Sequence, residues 1–226
     1  MSEIPVLEIF SDYIWPWCYF ITGRVERLRS EFEIRIEWIA FPLHPDTPPQ
    51  GRTLEDLFAG RNIDIPQMLA HIQQVARELG LPFGDREMTF NSRLAQELGK
   101  WAEQMEKGDE FHEAVFRAYF ADGLNIADVD ILVDIASSVG LNAGAASDTI
   151  VDRTFKEAVD RDWYRAYESG ITAVPTFSMN GQTLVGAQRY NILNDFLLQN
   201  NVNRRRSTHW PAAAFKIGFS IWALDE

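Results

Sequence analysis

Strand-like patterns occur at only the two ends of this sequence, and the stretch between them reads as helix; few folds accept that distribution. Near the start, "PVLEIFS" (5–11) is short, apolar and β-branched, as a buried strand should be. In "IRIEWIAF", Ile34, Ile36, Trp38 and Ala40 alternate as a second strand. Between the two, Pro16 suits the first turn of a helix, where a missing N–H costs nothing, and Cys18, Ile21, Val25 and Leu28 recur on one helical face. Such a β–α–β unit crosses over right-handed. Toward the other end, "VPTFSMNGQTLVG" reads as a β-hairpin, because Asn180-Gly181 supplies the two positive φ angles of a type I′ turn.

The middle begins with "FPLHPDTPPQG" (41–51), too proline-rich for regular structure, and beyond it the patterns are all helical. Pro66 starts a helix that uses Leu69, Ile72, Ala76 and Leu79 and ends at Gly80. Leu94, Leu98, Trp101 and Met105 give a second apolar face. Phe111, Val115, Tyr119 and Phe120 give a third, and Ile131, Leu132, Ile135 and Val139 a fourth. Ser147 or Asp148 is expected to cap a longer helix running through Phe155, Val159 and Trp163 to Gly170, and a last helix covers roughly 189–199. The expectation is an α/β chain of thioredoxin-like layout. Residues 1–50 and 147–201 form one discontinuous domain with βαβ and αββα halves, and an all-helical insertion, 51–146, separates them. Residues 202–226 form an atypical tail.

Composition narrows the function. The net charge of −12 argues against nucleic acid, which needs a basic face. The N-terminus has no basic n-region or long apolar core, and no run reaches membrane-spanning length, so a cytoplasmic protein without membrane insertion is expected. The tail after Arg204 is expected to pack on its own domain or stay poorly ordered, although three arginines before an amphipathic stretch also suit a membrane surface. The one cysteine, Cys18, excludes an internal disulfide framework.

Cys18 follows Trp15-Pro16-Trp17 at the strand–helix junction. Helix N-termini favour a thiolate, so a sulfur here is expected to be activated by the backbone; Cys18 also lies on the apolar face, where an unpaired cysteine acts as a small hydrophobe. In "TAVPTF", Pro175 reads either as the start of an edge strand or as part of a cis Val174–Pro175 bond beside the helix tip, with Val174 offering its backbone to an extended ligand. Asp12 and His44 each follow a strand at the edge that carries Cys18. Either they assist proton transfer there, or Asp12 caps and His44 is a loop residue. The four histidines lack ligand spacing, so no metal is expected.

Four stretches together resemble the DsbA-like thioredoxin superfamily, in particular its FrnE-type branch, and are similar to the related 2-hydroxychromene-2-carboxylate isomerases and kappa-class glutathione transferases. They are "FSDYIWPWCYF", "FPLHPDTPPQG", the run from "FNSRLAQELGKWAEQ" to "FHEAVFRAYFADGLNIAD", and "GITAVPTFSMNGQTLVGAQ". The resemblance implies a thiol–disulfide oxidoreductase with its nucleophile at position 15, its resolving thiol at Cys18, and a substrate site made by Pro16, Trp17, Val174, Pro175 and Thr176. It implies no bound cofactor, with glutathione or another thiol as co-substrate. The partner is a thiol- or disulfide-containing peptide or a small thiol, and a homodimer is compatible with it. Position 15 departs from the pattern: Trp15 carries no nucleophile. Three readings stay open. Position 15 is naturally selenocysteine; or the chain binds peptides, thiols or aromatic ligands without turnover; or Cys18 alone forms mixed disulfides.

Overall fold

A computed structural model describes residues 4–205. In chain order its elements are β1 (Val6–Ser11), α1 (Pro16–Phe20), α2 (Thr22–Glu31), β2 (Arg35–Ala40), β3 (Arg52–Thr53), α3 (Leu54–Leu57), α4 (Ile65–Glu78), β4 (Met88–Thr89), α5 (Arg93–Gln104), α6 (Gly108–Phe120), α7 (Val129–Ser138), α8 (Ala143–Val151), α9 (Lys156–Glu168), β5 (Thr176–Met179), β6 (Gln182–Val185) and α10 (Tyr190–Gln199). The main sheet has the order β2-β1-β5-β6: β1 pairs parallel with β2 and antiparallel with β5, and β5 pairs antiparallel with β6. The β5–β6 turn has Asn180 and Gly181 at φ 51° and 76°, the geometry that its sequence requires. Strands from both ends of the chain thus meet at β1, and elements β3 to α9 lie between them in sequence.

Alternation along β1 divides the core. Leu7 and Ile9 join Val25, Leu28, Phe177, Leu193 and Leu197 in one apolar cluster, where α2 and α10 pack on the sheet. Phe10 belongs to a second cluster with Cys18, Leu98, Phe111, Phe116 and Phe120, built largely by the intervening helices. Tyr19 stacks on Phe120 at 5.3 Å and on Phe116 at 5.8 Å, so α1 is seated directly on α6.

Four expectations need correction. The first helix is interrupted after Phe20, which puts Cys18 in one cluster and Ile21, Val25 and Leu28 in the other instead of along one face. The alternation expected for β2 is not kept: Ile36 and Glu37 are both half-buried, and Trp38, Ile39 and Ala40 are all buried because both faces are covered there. The middle is not wholly helical, since β3 and β4 pair as a two-residue antiparallel ladder. The helix expected from 147 to 170 is two: α8 is capped by Asn142, whose Oδ1 accepts from Ala145 N at 2.9 Å, and the chain breaks at Arg153, φ 52°.

The break has an electrostatic cause. Arg153 forks onto buried Glu97 of α5 at 2.7 and 2.6 Å, and Arg93 reaches the same carboxylate at 2.5 Å. Arg93 also bonds Asp160 at 2.7 Å and lies over Trp163, which ties α9 to α5. A carboxylate 3% exposed needs these partners, and a continuous helix would swing Arg153 away from it.

The last described residues are held across the sheet from these helices. Arg204 bridges Phe32, and Glu31 accepts from Tyr190, Arg27 and Arg204. Burial opposes ionisation of Glu31, but these three donors outweigh it and bring its pKa down to about 2. Most of the stretch 204–226, expected to pack on its own domain or stay poorly ordered and with a membrane surface as the alternative, lies outside the described residues. Among the described residues no helix is long and apolar enough to cross a membrane.

Arg153→Gly should keep the left-handed backbone without steric cost while removing the fork on Glu97. Because Arg153 is itself part-exposed, the loss expected in a urea titration is about 2 kcal/mol, below the range for breaking a fully buried pair. An unchanged midpoint would show that Arg93 alone satisfies the carboxylate.

Candidate functional site

The antiparallel register of β1 and β5 brings two distant segments side by side. Phe10, one residue before the end of β1, lies opposite Thr176, the first residue of β5. The Val174–Pro175 peptide bond is cis. Val174, Pro175 and Thr176 are buried, and Thr176 Oγ1 donates to the Ala173 carbonyl at 2.7 Å. Beyond β1 the chain turns, with Trp15 N donating to the Asp12 carbonyl at 3.2 Å, and enters α1 at Pro16. Trp15 is extended (φ −100°, ψ 117°), and its carbonyl accepts from Cys18 N at 3.0 Å and Tyr19 N at 3.4 Å. Its half-buried indole packs against the cluster that contains both Cys18 and Val174. Trp17, also half-buried, meets Phe20 edge-on at 5.5 Å and His71 of α4 at 6.1 Å.

Cys18 is 0% exposed. Burial pushes its thiol up to about 12; the Ser11 hydroxyl and the Asp12 backbone work the other way, and the Asp12 charge adds to the rise. Of the two readings of Cys18, activation by the helix tip and a buried small hydrophobe, the burial fits the second. Cys18 is the third residue of a five-residue helix and faces the core, so desolvation prevails.

Asp12 is 1% exposed, and its carboxylate accepts from Leu43 N at 3.0 Å and Ile14 N at 3.4 Å, with the Ser92 and Gln96 side chains as further partners. Burial outweighs these bonds and raises its pKa to about 6. Asp12 does not cap α1, which has no side-chain cap; it joins the end of β1 to the loop after β2 and to the start of α5. His44 is half-buried in that loop, and burial, then the Arg61 and Arg52 charges, lower its pKa, so it is a neutral imidazole at pH 7.

Next to this site is a buried polar chain with no local signal in the sequence. Tyr13 Oη lies 2.5 Å from His112 Nδ1, and His112 Nε2 lies 3.2 Å from Glu103 Oε1. Lys100 Nζ stands between Glu103 Oε2 at 3.3 Å and Asp162 Oδ2 at 2.9 Å, and Asp162 accepts from Ala40 N at 2.9 Å. Gly99 makes the chain possible: a Cβ there would lie 2.7 Å from the Tyr13 hydroxyl. Tyr13 and His112 are 99 positions apart, so only the fold brings them together.

A family model described as the DSBA-like thioredoxin domain matches residues 6–198. The uncharacterized protein YwbO of Bacillus subtilis is 30% identical over 186 residues, covering 80% of this chain and 90% of its own. Among solved structures, a probable DsbA oxidoreductase from Streptomyces coelicolor superposes with a TM-score of 0.80 at 24% identity, over 87% of this chain and 89% of its own. The cytosolic disulfide reductase DsbM from Pseudomonas aeruginosa, determined with GSH, superposes with a TM-score of 0.60 at 16% identity, over 87% and 94%.

Two outcomes are expected from this geometry. Cys18 should resist a maleimide at pH 8 in the folded protein and react fully in urea; stoichiometric labelling of folded protein would mean that the sulfur is accessible. For Asp12, the carboxyl loses its proton near 3.8 when unfolded and near 6 when folded. The folded state therefore holds the extra proton between those values, and stability falls as pH rises through that window, by about 3 kcal/mol. Urea titrations of Asp12→Asn against pH should lack this slope; a parallel profile would mean that Asp12 ionises normally.

Proposed function

The chain belongs to the DsbA-like thioredoxin domain family of thiol–disulfide oxidoreductases, and from that premise we propose that it keeps the family's ligand groove but has lost disulfide exchange. One observation carries this reading: the one thiol of the chain is buried in the core, where desolvation pushes it up to about 12, while the half-buried residue that precedes the helix is an indole. Exchange begins with a thiolate attacking a substrate disulfide, and neither residue meets that need. Trp15 has no sulfur with which to form a mixed disulfide, and Cys18 has neither the ionisation nor the access. The reaction class of the family is thus blocked at its first step.

The groove itself supports binding. Half-buried Trp17 is its wall, with Pro16 and Thr176 packed beneath, and the Val174 backbone, two residues ahead of β5, is the place where an extended peptide adds its own hydrogen bonds. The ligand is a thiol- or disulfide-containing peptide or a small thiol such as glutathione, held without turnover. A reducing cytoplasmic setting suits a chain whose only thiol stays unpaired.

A second reading is favoured by the placement of Trp15 immediately before α1, three residues ahead of Cys18, where a two-chalcogen motif needs its attacking atom. With selenocysteine at 15, the selenolate would attack a substrate disulfide and release one thiolate. The Cys18 thiolate would then attack the resulting Se–S bond, release the second, and leave a 15–18 bridge, so two electrons pass to the substrate. The codon decides: UGA supports this reading and UGG ends it.

Trp15→Cys tests the main reading. The chain as written should show no dithiothreitol-coupled insulin reduction, Trp15→Cys should show it, and adding Cys18→Ser should abolish turnover. Measurable turnover with Trp15 in place would sink the claim of lost exchange, and an inert Trp15→Cys would sink the claim that the groove is intact.

A further inference from the structure

Two adjacent side chains after β1 tie the turn that leads into α1, and they tie it to different places. Asp12 is bonded within the turn and to the loop after β2. Tyr13 reaches α6 instead: its hydroxyl has one partner among the described residues, His112 Nδ1 at 2.5 Å. The phenol is buried and meets Phe116 edge-on at 5.2 Å, and α5 leaves room for the hydroxyl because Gly99 has no Cβ. His112 is held in turn. Its Nε2 lies 3.2 Å from Glu103 Oε1 of α5, and Trp38 of β2 flanks the imidazole with ring centres 5.2 Å apart. The residue two positions before Trp15 is therefore gripped by side chains from α5 and α6.

These bonds run in one direction. Burial opposes ionisation of Glu103, but the bond from His112 and the Lys100 charge outweigh it, so the side chain is a carboxylate and only accepts. Nε2 of His112 then carries the ring proton. Burial first, then the Glu103 and Asp12 charges, pushes the Tyr13 phenol well above its usual range, so it keeps its proton and donates it to Nδ1. One ring proton thus satisfies both contacts. A proton on Nδ1 would face a phenol that has its own to place, and that phenol has no other acceptor among the described residues. Lys100, between Glu103 and Asp162, steadies the carboxylate from the other side.

We propose that His112 and Glu103 are positioning residues for Trp15. Glu103 fixes the imidazole as its Nε2–H tautomer, the imidazole fixes the Tyr13 hydroxyl, and Tyr13 fixes the turn that sets Trp15 ahead of α1. The turn itself is closed by Trp15 N donating to the Asp12 carbonyl at 3.2 Å, with Tyr13 inside it, so that amide reports whether the grip holds. The helical segment thereby decides where the residue at position 15 stands. This deepens the groove reading proposed above and rests on it for the use of the arrangement, not for the arrangement itself. A chain that shows the grip but binds no glutathione would refute the groove and leave the grip intact.

Two measurements on the full chain, neither of which needs a ligand, test it. Nitrogen NMR of the His112 ring at pH 8, assigned from its loss in His112→Gln, should show the Nε2–H tautomer, and Tyr13→Phe should keep it. A proton on Nδ1, or loss of the tautomer in Tyr13→Phe, would overturn the role of Glu103. The second measurement is amide hydrogen exchange. Tyr13→Phe removes only a hydroxyl, and the Trp15 amide should then exchange about tenfold faster. The Val25 amide, bonded to the Ile21 carbonyl in the other apolar cluster, should stay within about twofold of its rate. Equal acceleration of both amides would mean general loosening and sink the proposal, as would no acceleration at Trp15. Glu103→Leu should also speed the Trp15 amide, by about threefold, while Glu103→Gln, which still offers an oxygen to Nε2–H, should restore the slow rate. Tyr13→Phe combined with Glu103→Leu should be no faster than Tyr13→Phe alone, since both act through one chain; effects that multiply would show two separate ones.

Discussion

Desolvation at the end of β1 is the constraint from which the chemistry of this molecule follows. Ser11, Asp12 and Cys18 come together where the central strand hands over to a short helix, and the helical half of the molecule closes over them. A thiol and a carboxyl that are taken out of water both resist ionisation, and both pKa values rise for that reason first. The Asp12 carboxyl is nonetheless kept, because its hydrogen bonds tie three segments of the chain to one point. Its position is structural in effect, and the upward push of burial on its pKa, to about 6, is a by-product.

This sealing also gives meaning to Trp15. In a motif of two chalcogens, the inner atom can be buried because the outer one meets the substrate; exposure and reactivity belong to the first position. Here that position holds an aromatic ring packed on the same core as Val174. The strand–helix junction and the cis peptide of the family are therefore present, while position 15 carries no chalcogen.

Much of this was legible in the sequence, and the exceptions have physical causes. The sheet strands and the Asn180-Gly181 hairpin could be read because each is encoded by residues close together in the chain. The break at Arg153 could not, since its cause is a carboxylate on α5, 56 positions away. Nor could the burial of Ile39, which depends on cover from helices rather than on alternation within β2. The Tyr13–His112–Glu103 chain is the clearest case: His112 has unremarkable neighbours in sequence and acquires its role only when α6 packs beside the loop after β1.

The strand order has a consequence for how the molecule is made. During synthesis β1 finds β2 almost at once, but its opposite edge stays unpaired until residues 176–179 leave the ribosome, after all of α3 to α9. An open edge on an apolar strand invites pairing with other chains. Helices α5 to α7, rich in local contacts, can cover the Phe10 face of β1 before that edge is filled, but the edge itself is satisfied only by β5.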